Sequence, residues 1–338
     1  MEKSRNIIKK IWISLISGII LLILFIISVN YNFYNLFGGM PSLQDLEKPE
    51  SELSSELYSG DNKLLGKYFR FNRSPVKFDE LSDELVTTLL VTEDIRFYNH
   101  SGIDLKGLIR ATYGVGKNIL TFGSSGLEGG GSTITQQLAK NLFKIRREKK
   151  GSLSGVPFLG LIISKVKEWI VAVKLEEFYT KKEILAMYLN TAEYGSNSYG
   201  IKVAAKTYFN KLPSELNYNE SSIIVGLLNK PTKYNPYFNP DNAIEKRAEI
   251  FYNLYKYEIV DNKYYDSLKL MGLELNYKVE NQNVGQATYF RTVVRNYLIN
   301  WAKTNGYDLF SDGLKIYTTI DSRMQEYAEN AVKDQMKR

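Results

Sequence analysis

The sequence predicts a mainly α-helical fold with a small β element, preceded by one transmembrane helix. Three observations carry this prediction. Ile11–Val29 runs nineteen residues without a charge, long enough to cross a bilayer as a helix. From Leu81 onward, apolar residues recur at helical spacing in one segment after another. Leu57–Phe71 (LYSGDNKLLGKYFRF) instead places apolar runs on both sides of the turn residues Ser59-Gly60-Asp61-Asn62, which reads as a β-hairpin.

Taken from the N-terminus, residues 1–10 carry Lys3, Arg5, Lys9 and Lys10, while no Lys or Arg follows the apolar span until Lys48. That asymmetry puts 1–10 in the cytoplasm, 11–29 in the membrane and the remainder outside. No small-x-small cleavage site adjoins the span, so it reads as an uncleaved anchor rather than a signal peptide. Residues 30–56 are polar and irregular, as in a stalk. Leu85, Leu89 and Leu90 start a helix that leads into Thr92–Gly102 (TEDIRFYNHSG). Further helices are predicted over Thr133–Phe143, Lys165–Asn190, Ser221–Leu228 and Ala243–Lys256. In the second, Val166, Trp169, Ile170 and Val173 make one apolar face. Gly313–Arg338 alternates like a strand and then becomes amphipathic, reading as the start of something larger.

Composition narrows the chemistry. The chain has 338 residues, 44% of them hydrophobic, with 25 Tyr and a net charge of +7. That charge is modest for the length and gives no footprint for nucleic acid. There is no cysteine and a single histidine, His100, which rules out disulfides, thiol nucleophiles and multi-histidine metal sites within this sequence. His100 has no nucleophile-elbow sequence with it, so a Ser-His-Asp hydrolase is not indicated.

The most informative stretch is Gly129–Asn141, GGGSTITQQLAKN. A glycine triplet permits close approach of backbone to a ligand. Ser132, Thr133, Thr135, Gln136, Gln137 and Lys140 then supply neutral donors and a cation at a helix start, a pattern suited to phosphate or sugar. Taken alone, the stretch reads first as an ordinary Gly-rich loop capped by Ser132 and only second as a ligand grip. Five basic residues in the seven from Lys144 to Lys150, followed by the apolar Gly151–Leu161, suit lipid headgroups or substrate phosphates as well as plain solvation.

Read together, these motifs resemble the peptidoglycan glycosyltransferases (glycosyltransferase family 51), as found in class A penicillin-binding proteins and their monofunctional relatives. Glu93, Asp94, Phe97, His100 and Gly102 fit E-D-x-x-F-x-x-H-x-G, and Gly130–Asn141 fits G-G-S-T-I-T-Q-Q-L-x-K-N with one extra glycine. Lys165–Glu168 fits the end of R-K-x-x-E. Leu175–Asn190, Tyr194–Lys211 and Gly226–Pro236 with Arg247 follow in order. The resemblance covers about Leu57 to Tyr252 and sets a glycosyltransferase domain at 57–256, with 257–338 as a linker region opening toward a transpeptidase half.

The resemblance implies a lysozyme-like helical domain that polymerises lipid II into glycan strands, inverting the anomeric carbon and releasing undecaprenyl pyrophosphate. It implies Glu93 as the catalytic base and Glu168 as a second catalytic carboxylate, holding the pyrophosphate through a metal, with magnesium the candidate cofactor, or orienting a basic residue. Asp94, Ser132, Thr133, Gln136, Gln137, Lys140 and Lys165 become substrate-binding residues. His100 and Phe97 become structural support, and Asn190 and Tyr194 stabilise a helix end. The family's Arg before Lys165 is replaced by Ser164, leaving Arg146 or Arg147 as candidate leaving-group cations. The implied partners are lipid II, the growing glycan, membrane lipids and cell-wall synthesis or division proteins, in a single-pass protein of the bacterial inner membrane. No K-T-G occurs, and Ser74–Lys77 and Ser164–Lys167 are chance S-x-x-K strings, so no transpeptidase activity is expected of this sequence. The competing expectations are a lysozyme-like lytic enzyme and an inactive membrane-anchored scaffold.

Overall fold

The computed structural model describes residues 2–42, 45–46, 53–69, 74–111, 131–143, 151–156, 158–279 and 286–337. In chain order its regular elements are α1 (Glu2–Asn30), β1 (Ser55–Tyr58), β2 (Leu64–Tyr68), α2 (Asp83–Glu93), α3 (Ile134–Phe143), α4 (Leu159–Phe178) and α5 (Lys181–Thr191). They continue with α6 (Ile201–Phe209), α7 (Tyr218–Asn229), α8 (Pro240–Lys256), α9 (Asn262–Leu270), α10 (Thr288–Thr304), β3 (Lys315–Tyr317) and α11 (Ser322–Met336). Two compact units emerge. One takes the chain to Pro49 together with Arg96–Ile184, and the other takes Glu50–Ile95 with Leu185–Arg338.

In the first unit, Asn6–Asn30 of α1 is long and apolar enough to cross a membrane, with mean hydropathy 2.8. Its end does not run into a free stalk. Asn32 turns the chain in the left-handed region (φ 48°), and its Oδ1 accepts the amide N–H groups of Phe37 and Gly38 at 3.1 and 2.7 Å. Phe37 then buries with Val29, Ile163 and Val166, with Phe25, Ile26 and Trp169 packed around them. The physical reason is the apolar surface of Leu36 and Phe37, which leaves water only by folding back on α4. The Leu153 N–H donates to the Leu36 carbonyl at 2.9 Å, which ties residues 151–155 to the same place.

The helix expected over Lys165–Asn190 is two helices. α4 ends at Phe178, Tyr179 is extended (φ −125°, ψ 142°), and α5 starts at Lys181. The cause is local. The Glu183 carboxylate accepts the Thr180 N–H at 2.8 Å, and the Thr180 hydroxyl accepts the Glu183 N–H at 3.3 Å. This reciprocal capping box starts a new helix instead of continuing the old one.

In the second unit, α2 is capped by Ser82, whose hydroxyl accepts the Leu85 N–H at 3.1 Å. α7 is capped by Asn217 with Glu220 in a capping box. Tyr188, Tyr194 and Tyr208 are buried in full, as are Leu85, Leu89 and Leu254. The predicted hairpin is present: β1 and β2 pair antiparallel from Ser55 against Tyr68. β3 pairs parallel to β1, giving the order β2-β1-β3. Leu57, Leu65 and Tyr68 share one small core with Ala302 and Leu309. The strand-like alternation read near Lys315 therefore belongs to the same sheet as the hairpin, joining residues from both sides of the expected 256/257 boundary. Asp61 clamps this tail, accepting the Ser322 N–H at 2.9 Å and its hydroxyl at 2.6 Å.

Candidate active site

In the first unit the predicted residues gather at the start of α3. The Thr133 hydroxyl accepts the Gln136 N–H at 3.2 Å and donates to the Gly102 carbonyl at 2.7 Å. It caps the helix and ties it to the 97–102 segment in one stroke. Gln136 Nε2 donates to the same carbonyl at 3.1 Å. Thr133 and Gln136 are both buried, so they act on the loop behind the helix. Gly102 has to be glycine: its φ is +85°, and a Cβ there would lie 2.8 Å from the Ala172 carbonyl carbon. Gln137 is half-buried and Lys140 is exposed.

Across from this helix start, α4 supplies the pair that the sequence set on one face. The Lys165 ammonium lies 2.7 Å from the Glu168 carboxylate and donates to the Ser132 hydroxyl at 2.9 Å. Glu168 is 1% exposed and Lys165 is 36% exposed. A buried carboxylate is costly unless neutralised, and Lys165 neutralises it. The outcome is a compact Ser132–Lys165–Glu168 cluster with one face open to water. Ser164, at the family's Arg position, spends its hydroxyl on the Gly160 carbonyl at 2.8 Å and supplies no cation. Arg146 and Arg147, together with Gly129 and Gly130, lie outside the described residues.

Among the described residues no group of three or more His, Asp or Glu side chains stands together as a metal site. Glu168 brings a single carboxylate to its cluster, already paired with Lys165. The donor set at this point is that of a cationic cradle.

In the second unit, Glu93 is the last residue of α2 and is half-buried, while Asp94 caps the helix end and is buried. The Tyr188 hydroxyl is pushed well above its ordinary pKa, first by burial and then by the charge of Glu93, so the two share an electrostatic neighbourhood. Asn190 serves structure as expected: its side chain donates to the Val76 carbonyl at 2.8 Å and accepts the Val76 N–H at 3.0 Å. The Tyr194 hydroxyl donates to the Leu189 carbonyl at 3.1 Å.

Phe97 and His100 fall in the first unit. Phe97 is buried, and the two rings meet edge-on with centroids 6.2 Å apart. Around them stand two further residues, Lys181 and Glu176, to which no motif in the sequence gives a role. Lys181 Nζ donates to the His100 carbonyl at 2.6 Å and lies 4.2 Å from the centre of the Phe97 ring. Glu176 accepts from Lys181 at 2.8 Å and from the Thr135 hydroxyl at 2.6 Å. The sequence signal for this arrangement was the T-K-K-E string at Thr180–Glu183, which marks a helix start and hence a break that brings the two ends together.

The first unit thus holds a polar helix start after Gly131 beside the Lys165–Glu168 ion pair, and the second holds the Glu93-Asp94 helix end. The family model described as Transglycosylase matches residues 61–255, more than half of the chain, and the chain belongs to that family. Penicillin-binding protein 1A of Escherichia coli (strain K12) is 31% identical over 295 residues, covering 87% of this chain and 32% of that protein. Penicillin-binding protein 1A of Pseudomonas aeruginosa is 30% identical over 332 residues, covering 97% of this chain and 37% of the relative. The chain thus spans about a third of the length of the curated relatives it matches. A crystal structure of penicillin-binding protein 1A from Haemophilus influenzae covers 83% of this chain and 29% of its own, at 22% identity and a TM-score of 0.43.

Proposed function

We propose that this chain is a peptidoglycan glycosyltransferase that polymerises lipid II into glycan strands. The observation that carries the reading is the Ser132–Lys165–Glu168 cluster at the start of α3, within the span matched by the Transglycosylase family. A cationic and hydroxyl-bearing cradle suits a diphosphate better than a neutral sugar alone.

In the proposed step, the 4-hydroxyl oxygen of one sugar bonds to the anomeric carbon of the lipid-linked sugar. The bond from that carbon to the diphosphate oxygen breaks, its electron pair leaves with the diphosphate, and the configuration inverts from α to β. Glu93 takes the hydroxyl proton as general base. Lys140 and Lys165 stabilise the charge that grows on the leaving diphosphate, and Ser132 and Gln137 orient it. Glu168 fixes the Lys165 ammonium in place. Magnesium, the candidate cofactor, would be held by Glu168 and would supply further positive charge to the leaving diphosphate. No step here depends on it.

The charge asymmetry around α1 supports a cytoplasmic N-terminus and an extracytoplasmic catalytic domain. Exposed Val156, Phe158 and Leu161 lie in the segment whose Leu153 and Leu159 pack with the end of α1, which supports a membrane-contacting role for Gly151–Leu161. The test is incubation of the purified chain with labelled lipid II. Polymer that appears and then disappears on adding a muramidase supports the reading, and unchanged lipid II refutes it.

A further inference from the structure

We propose that Glu176 and Lys181 are a positioning pair that fixes the first turn of α3, the helix read above as the diphosphate grip; the inference rests on that reading.

The two residues sit on either side of the break at Tyr179–Thr180, Glu176 in the last turn of α4 and Lys181 at the first position of α5. Their contacts form a closed circuit. The Thr135 hydroxyl, one residue into α3, donates to Glu176 Oε1 at 2.6 Å. Lys181 Nζ lies 2.8 Å from both carboxylate oxygens of Glu176. The same ammonium donates to the His100 carbonyl at 2.6 Å and faces the Phe97 ring. Two residues further on, the Gly102 carbonyl takes hydrogen bonds from Thr133 and Gln136, which returns the circuit to α3. The first turn of α3 is therefore held at two points, Thr135 toward α4 and Thr133 with Gln136 toward the 97–102 segment.

Stability alone is a poor account of this pair. The Glu176 side chain is 6% exposed and that of Lys181 22%, and burying two charges costs about as much as their attraction returns. Apolar residues of similar volume would pack α3 against α4 without that cost. A charged pair with a hydroxyl, a carbonyl and an aromatic face around it instead fixes direction: Glu176 takes both the Thr135 hydroxyl and the Lys181 ammonium, and that ammonium also holds the His100 carbonyl. The helix whose direction it fixes carries Gln136, Gln137 and Lys140 and begins beside Ser132. A small displacement of a grip on a leaving group is enough to cost a large factor in rate.

The experiment measures kcat and KM for lipid II with the full chain, at a temperature where circular dichroism shows every variant folded. Lys181→Met and Thr135→Val are each expected to lower kcat/KM by about tenfold, because each opens the same circuit. The double variant Lys181→Met/Thr135→Val is expected to lose no more than the worse single change, since both act through one element. Lys181→Arg, which keeps the charge and the donors, is expected to restore most of the loss. A folded Lys181→Met with near wild-type kcat/KM overturns the proposal, as do losses that multiply in the double variant or an arginine variant as poor as the methionine one. Lys140→Ala is run beside them. Wild-type turnover there removes the diphosphate-grip reading itself, whereas loss there with turnover kept in Lys181→Met removes only the positioning pair.

Discussion

The Lys165 ammonium and the Glu168 carboxylate are 2.7 Å apart, one helical turn from each other on α4, with the carboxylate buried and the ammonium partly in water. The asymmetry matters. Glu168 cannot reach solvent, so its charge anchors Lys165 from below, while the exposed side of the ammonium stays available to an anion. The Ser132 hydroxyl, 2.9 Å from the same ammonium, joins the helix start of α3 to this anchor.

Removing the ammonium leaves a buried carboxylate without its counter-charge. Lys165→Met is expected to cost about 2 kcal/mol, less than the 3–5 typical of a fully buried pair because solvent reaches the lysine. The double change Lys165→Met/Glu168→Gln is expected to recover most of that stability but not lipid II turnover. Denaturant unfolding and the polymerisation assay, run on both proteins, separate the two effects.

Gly102 permits a backbone conformation that no L side chain adopts easily. With φ at +85° and the Ala172 backbone 2.8 Å from where a Cβ would stand, Gly102→Ala is expected to cost at least about 1–3 kcal/mol. The carbonyl that Thr133 and Gln136 hold would shift with it, so turnover is expected to fall further than stability alone predicts. Thermal melting beside kinetics checks this.

The tail clamp gives a pH dependence. The Ser322 hydroxyl and then the Ser322 N–H hold the Asp61 carboxyl well below the ordinary carboxylate range. Because the folded pKa is depressed, the contact contributes its full stability above the ordinary carboxylate value and loses it as pH falls through the folded one. The α11 cap behaves alike: Arg323, chiefly through its side chain, holds Asp321 at about 2. Docking of residues 313–337 is therefore expected to survive to mild acid and loosen only in strong acid. Asp61→Asn is expected to loosen it at neutral pH. Hydrogen exchange of β3 amides across pH reads both.

The end of α1 is packed against residues 36–37 and α4. Phe37→Ala is expected to cost about 3 kcal/mol by opening the cluster of Val29, Ile163 and Val166. Proteolytic sensitivity of residues 31–42 is expected to rise with it, whereas a free stalk would show no change.

Much of this was legible in the sequence because the signals were local. The apolar span, the hairpin around Gly60, the helix after Ser132 and the shared face of Lys165 and Glu168 all depend on residues close in the chain. The break at Tyr179 was equally local, but the apolar period of α4 runs on into Ile184 and Leu185 and hides the capping box at Thr180. What escaped were contacts between distant segments. No spacing tells that Lys181 reaches the His100 carbonyl, that Phe37 turns back onto Ile163, or that β3 closes the sheet begun at Ser55. Thr133 and Gln136 illustrate the same limit: their residue types suit a substrate, yet the fold turns both onto Gly102.

If Glu93 takes the acceptor's proton during polymerisation of lipid II, replacing its carboxylate with an amide stops turnover. The chain and its Glu93→Gln variant are incubated with labelled lipid II under identical conditions, with matching circular dichroism as proof of fold. Glycan polymer is expected from the wild-type chain and none above background from the variant, while lipid II binding is retained. Polymer from Glu93→Gln at a rate comparable to wild type would contradict that role for Glu93.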